Sequence, residues 1–172
     1  LKKNNYLMRF YISFNKKFNK MSTQTPGYLK TQQIMFMGLF TGPILFLGVC
    51  FMLQAGSQPV EQEMSSPLFF IAIGFATIGI IGSRAMYASR ISKLQTLEST
   101  QQKLDGWRTT FIIRMAMVEG PTLLCVVGLL IEEQRVFLFL ALVLLFFQAL
   151  NFPTKSKIQS DLNLSETETN EL

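Results

Sequence analysis

The chain has 172 residues, with 16 Lys+Arg against 11 Asp+Glu, a net charge of +5 and no His. Apolar residues make up 49% and charged residues only 16%, where soluble chains average roughly a quarter charged. Without His, no Ser-His-Asp or Cys-His catalytic arrangement exists. Two Cys cannot close a four-ligand zinc site, nor staple a disulfide-rich scaffold.

Residues 1–20 carry Lys2, Lys3, Arg9, Lys16, Lys17 and Lys20 and no acid. They lack the apolar run and cleavage site of a signal peptide. One reading is a basic amphipathic arm that inserts Phe10, Tyr11, Phe14 and Phe18 into the membrane surface. The other is a disordered or untranslated leader, with Met21 as the start. Without its six charges, 10 Lys+Arg face 11 Asp+Glu, a net of −1. The basic balance is therefore no signal for nucleic acid, and none is expected as a partner.

Four long apolar blocks follow a polar segment at 21–33. Ile34 to Leu53 and Met64 to Ser83 carry no charge, and neither does Val136 to Thr154. Thr109 to Ile131 is broken only by Arg114 and Glu119. A hydrocarbon core about 30 Å thick needs about 20 helical residues. The expected fold is thus all-α, an integral membrane four-helix bundle over 34–152. Its helices are placed at 34–53, 64–83, 109–131 and 136–152, with the lipid bilayer as the first partner.

Charge sets the orientation. The connection Gln54–Glu63 has two acids and no Lys or Arg, and Glu132–Arg135 has two acids and one Arg. The middle loop carries Arg84, Arg90, Lys93, Lys103 and Arg108, and the tail Lys155 and Lys157. Positive residues collect on the cytoplasmic side. Both termini and the middle loop are expected inside, in a bacterial inner membrane.

The second helix is expected to run on past the membrane, with Ile91, Leu94, Leu97 and Leu104 at helical spacing and a break at Asp105-Gly106. That stretch is either a solvated extension or a partner-binding surface. Trp107 and Arg108 would mark the interface where the third helix enters, and Arg114 would snorkel to it as a further anchor. Pro153 is expected to stop the fourth helix. In the tail, 153–172, Ile158, Leu162 and Leu164 would lay a short helix on the inner leaflet, and the last eight residues would be disordered. Cys50 and Cys125 read as small buried hydrophobes. Val49 spoils the lipoprotein-like Leu47-Gly48-Val49-Cys50.

The first helix contains Gly42-Pro43 and the third Gly120-Pro121. Aligning them also pairs Lys30 with Arg108, Thr31 with Thr109 and Met37 with Met115. That suggests a duplicated two-helix unit with parallel halves. Each proline strips a helical hydrogen bond from the carbonyl four residues earlier, Leu39 or Met117. Glycine beside it permits close backbone approach, so the first and third helices are expected to pack at these sites. Gly74, Gly79 and Gly82 give the second helix a small-residue face.

Glu119 lies ten residues beyond Thr109, about 15 Å into the membrane. A carboxylate there is costly and should face protein or water. It would sit protonated or pair with a neighbouring chain. Two roles remain open: a neutral acid donating to the Leu39 carbonyl, or a group that handles a proton or cation. No metal or other cofactor is implied.

The run Ile78-Gly79-Ile80-Ile81-Gly82-Ser83-Arg84-Ala85, followed by Arg108-Thr109-Thr110 and Met115-Ala116-Met117-Val118-Glu119, resembles the c-subunit hairpin of rotary ATP synthases. That resemblance implies an ion carboxylate at Glu119. The turn lacks the Arg-Gln-Pro of those subunits, and Arg114 and Pro121 have no counterpart there. Ile112 to Pro121 and Pro153 to Leu164 resemble an uncharacterised family of small four-helix membrane proteins of Bacteroidota-type bacteria, which implies location and fold but no activity. With no nucleophile–base pair or metal cluster in view, no enzymatic chemistry is expected. The sequence points to an assembly or complex subunit, as a homo-oligomer or with other membrane subunits. A subunit that moves protons or cations through Glu119 is the alternative.

Overall fold

In a computed structural model, residues 27–54 and 66–170 are described. The expectations for residues 1–26, for Glu61 and Glu63, and for Met64 and Ser65 lie outside the described residues, as do residues 171–172. Six helices and no strand are present among the described residues: α1 (Tyr28–Leu53), α2 (Pro67–Gln95), α3 (Thr100–Glu132), α4 (Arg135–Ala149), α5 (Lys155–Leu162) and α6 (Glu166–Asn170).

The first three are long and apolar enough to cross a membrane. At 1.5 Å per residue they run about 39, 43 and 50 Å. The fourth apolar helix has 15 residues, about 22 Å. Pro153 does not stop it: α4 ends at Ala149, and a turn over Leu150 and Asn151 follows. There the Asn151 side-chain amide donates to the Phe147 carbonyl (2.7 Å) and competes with the helical ladder.

Helix starts and stops follow local chemistry. Gly27 takes φ 123° ahead of α1, a backbone state that costs glycine least. Ser66 caps α2 by accepting from the Leu68 amide (3.2 Å), with Pro67 in the first helical turn. α3 closes on Glu133 and α5 on Asn163, both left-handed. The helices run on through Pro43 and Pro121.

The expected break at Asp105-Gly106 is absent. The chain turns earlier, between α2 and α3 at 96–99. α3 then passes through Gly106, whose missing side chain is a notch for Leu94: a Cβ there would lie 2.2 Å from Leu94 Cδ2. This glycine serves packing, not chain reversal.

α3 is the axis of the bundle. It packs most extensively on α2, then on α4 and α1, while α1 and α2 make at most marginal contact. Of their most apolar stretches, 17% is buried in α1, 22% in α2 and 44% in α3. α1 lies parallel to α3 at nearly constant register. Tyr28 Oη donates to the Leu104 carbonyl (2.6 Å), Cys50 Sγ to Val126 (3.8 Å) and Gln54 Nε2 to Leu129 (2.7 Å), partners 75 or 76 residues apart. Both cysteines are free and buried, as expected.

The glycine contacts redistribute the expected packing. Gly79 and Gly82 seat α2 on α3. A Cβ at Gly79 would stand 2.6 Å from the Met117 carbonyl oxygen and 2.9 Å from Pro121 Cγ. Gly128 of α3 receives the Phe137 ring of α4, with a Cβ 2.6 Å from it. Gly74 and Gly120 meet nothing within 4 Å. Pro121 therefore packs on α2 at Gly79, and a Cβ at Gly120 would meet no neighbour.

Overpacking a well-filled contact costs about 1–3 kcal/mol. Gly79→Val should lower unfolding stability by that amount in denaturant titration of the detergent-solubilised protein. Gly74→Val should leave it unchanged.

Candidate functional site

Glu119 sits on α3, half-buried, on the side that meets α1. Its Oε1 lies 3.8 Å from where a Gly42 Cβ would be. Among the described residues it makes no hydrogen bond and no ion pair, so the expected donation to the Leu39 carbonyl is not formed. The carboxyl group faces the Gly42 backbone instead, at a distance where an added Cβ would make ordinary contact. Pro43 next to it is buried. The other proline-freed carbonyl, Met117, faces Gly79 of α2, where an added Cβ would stand 2.6 Å from it.

The denser polar site is at the end of the bundle where α1 begins and α2 hands over to α3. Its centre is Asp161 of α5, which the sequence analysis did not single out. Tyr87 Oη of α2 and Trp107 Nε1 of α3 (3.0 Å) both donate to Asp161 Oδ2, and Gln95 Nε2 donates to its backbone carbonyl (2.8 Å). The Arg114 guanidinium lies over the Tyr87 ring, 4.2 Å from its centroid, and its Nε is buried without a hydrogen-bond partner. Arg114 and Lys157 are within electrostatic reach of the Asp161 carboxylate. Burial pushes the Lys157 ammonium below its usual range, helped by Arg114 and opposed by Asp161.

Trp107 is therefore no lipid-facing anchor. It is fully buried, stacked on Phe111 at 5.0 Å and 6°. Arg108 is exposed as an interface residue would be, and Arg114 turns inward onto Tyr87 and the tail. The tail does not lie on a leaflet. Ile158, Leu162 and Leu164 are buried with Tyr28, Leu104, Trp107 and Phe111. The segment expected to be disordered forms α6 from 166 onward. There Thr100 Oγ1 of α3 donates to Glu168 Oε1, and the Ser165 amide (2.9 Å) and hydroxyl (2.7 Å) donate to its Oε2.

The opposite end is closed by fewer groups. Ser66 Oγ of α2 donates to Glu132 Oε1 of α3, and Gln54 reaches the Leu129 carbonyl. Back at the first end, Gln32 of α1 and Gln148 of α4 are fully buried, with neither amide atom partnered among the described residues. No group of three His, Cys, Asp or Glu gathers at metal-binding spacing among the described residues. No family model, curated protein or solved structure matches the chain.

Asp161→Ala removes the acceptor for the buried Trp107 and the half-buried Tyr87, and hydrogen bonds to a charged group contribute about 1.5–3 kcal/mol. The variant should shift the emission of Trp107, the chain's single tryptophan, to longer wavelength. It should also expose Lys155 and Lys157 to trypsin. Unchanged emission would contradict the clamp.

Hydrogen bonds from Thr100 and then Ser165 hold the Glu168 carboxyl down at about 2. A depressed carboxyl stabilises docking fully above its ordinary value of about 4.3, and loses that effect as pH falls toward its folded value. The Thr169 amide, bonded to the Ser165 carbonyl, should keep its hydrogen-exchange protection from pH 7 to about 4 and lose it near 2. Release complete at pH 4, or the same profile in Glu168→Gln, would contradict this assignment.

Proposed function

We propose that the chain is a four-crossing protein of a bacterial inner membrane, with both ends cytoplasmic, which acts without catalytic chemistry as a subunit of a membrane assembly. Two features support four crossings. The start of α1, the α2–α3 connection and the tail gather at one end of the bundle through Tyr28, Leu104 and Leu162. Gln54, Ser66 and Glu132 gather at the other, so α4 and its following turn span the bundle's length. Lys30, Arg84, Arg90, Lys93, Lys103, Arg108, Arg114, Lys155 and Lys157 belong to the first end, against Arg135 alone at the other. That asymmetry favours a cytoplasmic first end.

The observation that carries the assembly reading is the open face of α1. Gly38 meets nothing within 4 Å, and Gly42 meets only Glu119. The two glycines are four residues apart, the spacing with which membrane helices approach one another closely. A second reading, proton or cation handling, rests on the unpartnered carboxyl of Glu119 beside Gly42.

Both readings meet in one preparation. Fluorescently tagged full-length protein in vesicles should photobleach in two or more steps, and Gly38→Leu should reduce this to one. A single step for wild type, with no copurifying membrane subunit, would sink the assembly reading. Proton flux present in wild-type vesicles and lost in Glu119→Gln would favour the second. No flux in either, with no carbodiimide labelling of Glu119, would end it.

A further inference from the structure

Two cations at the polar end of α2 have no role in the bundle. Arg90 and Lys93 are exposed and make no ion pair or side-chain hydrogen bond among the described residues. They line one wall of a groove of about 440 Å³, whose remaining lining is Leu94, Gly106, Thr109 and Thr110. The two threonine hydroxyls already donate to the backbone, Thr109 to Asp105 (3.0 Å) and Thr110 to Gly106 (2.8 Å). The free donors of the groove are therefore the guanidinium and the ammonium. The nearest acid on the facing helix, Asp105, accepts from Gln101 on its own helix (3.4 Å) and acts on Tyr28.

The depth is informative. The apolar run of α2 ends at Ser83. Six residues from Arg84 to Arg90 rise about 9 Å. The headgroup layer beyond the hydrocarbon is about 5–8 Å thick on each side. Side chains on a helix lean toward its N-terminus, which for α2 is the direction of the membrane. Arg90 thus leans back into the phosphate layer, and Lys93, about 13.5 Å past Arg84, reaches back toward it from the cytoplasmic side.

We propose that this groove between α2 and α3 binds the phosphate of an anionic phospholipid, held by Arg90 and Lys93 with the glycerol end toward Thr109 on the membrane side. The proposal rests on the membrane placement of α2 and α3 argued above. Each juxtamembrane cation strengthens attraction to anionic lipid about fivefold, so the pair supplies roughly 25-fold.

The test uses the full chain in mild detergent, titrated with phosphatidylglycerol or zwitterionic phosphatidylcholine and read by native mass spectrometry. Wild type should retain phosphatidylglycerol in preference. Arg90→Gln with Lys93→Gln should lose the preference by roughly 25-fold. Lys103→Gln should keep it, and so should the charge-preserving Arg90→Lys with Lys93→Arg. Thr109→Phe should block the groove with both cations in place. Trp107 emission reports that each variant is folded. Equal retention of the two lipids by wild type, or an equal loss in Lys103→Gln, would overturn the site. Displacement of phosphatidylglycerol by inorganic phosphate at matching concentration would mark a free-anion site instead and overturn the lipid assignment. Failure of wild type to enter vesicles would count against the membrane reading itself, a separate result.

Discussion

The close seating of α2 on α3 sets the rest of the molecule. Three glycines define it along the shared length. Gly79 lies against Pro121 and the Met117 carbonyl, Gly82 against Met117 Cε, and Gly106 takes in Leu94. The first contact also falls on a weak point of the α3 backbone. Pro121 leaves the Met117 carbonyl without its helical donor, and in lipid no water replaces it. Only glycine lets the α2 backbone come that near, since a Cβ would clash. With the helices in this register, Tyr87 and Gln95 of α2 come alongside Trp107 of α3, and a slot opens for α5. Asp161 fills it. The tail's position is thus a consequence of packing decided several turns away.

Asp161 and Glu119 show what a carboxylate needs in such a bundle. Asp161 arrives on a short helix whose apolar face, Ile158 and Leu162, is buried against Leu104 and Trp107. Its partners are already held by α2 and α3, so little side-chain entropy is lost when the bonds form. Two neutral donors and two nearby cations then surround one acid, at the end of the bundle where water is closest. Glu119 has none of this. It stands where α1 leans on α3, and α1 contributes a glycine instead of a donor. The proline-freed carbonyl of Leu39 did not draw it in. It stays half-buried, with Oε1 facing the exposed backbone of Gly42.

Much of the architecture was legible because apolar block length is a strong signal. The second helix's extension beyond Ser83 was visible in the spacing of Ile91 and Leu94. Gly79 and Gly82 were identifiable as a packing face, and Cys50 and Cys125 as buried hydrophobes. Boundaries were harder. Asp105-Gly106 has turn chemistry, yet Gly106 is a notch, and only the position of Leu94 decides between the two. Trp107 has the composition of an interface anchor. Its burial depends on a tail more than fifty residues later in the chain. The signal for that tail was present: Ile158 and Leu162 are one helical turn apart, and Asp161 is a lone acid among Lys155 and Lys157. A sequence cannot say whether such an apolar stripe meets a lipid surface or a protein one, because both reward the same face.

The parallel register of α1 and α3 gives physical content to the weak repeat between them. Contacts pair residues 75 or 76 apart, and the two Gly-Pro pairs are 78 apart in sequence. The two prolines therefore stand at nearly one depth, on helices running the same way. Their surroundings are nonetheless unlike. Pro121 is enclosed by α2, whereas α1 has no second helix of its own to lean on, since α2 barely touches it. If α1 and α3 are copies of one unit, α3 has the full complement of neighbours and α1 lacks one. The vacancy falls on the face that presents Gly38. A partner helix placed there would give α1 the kind of contact that α2 gives α3 at Gly79, which is why the open side of α1, and not the carboxyl of Glu119 alone, directs the functional reading.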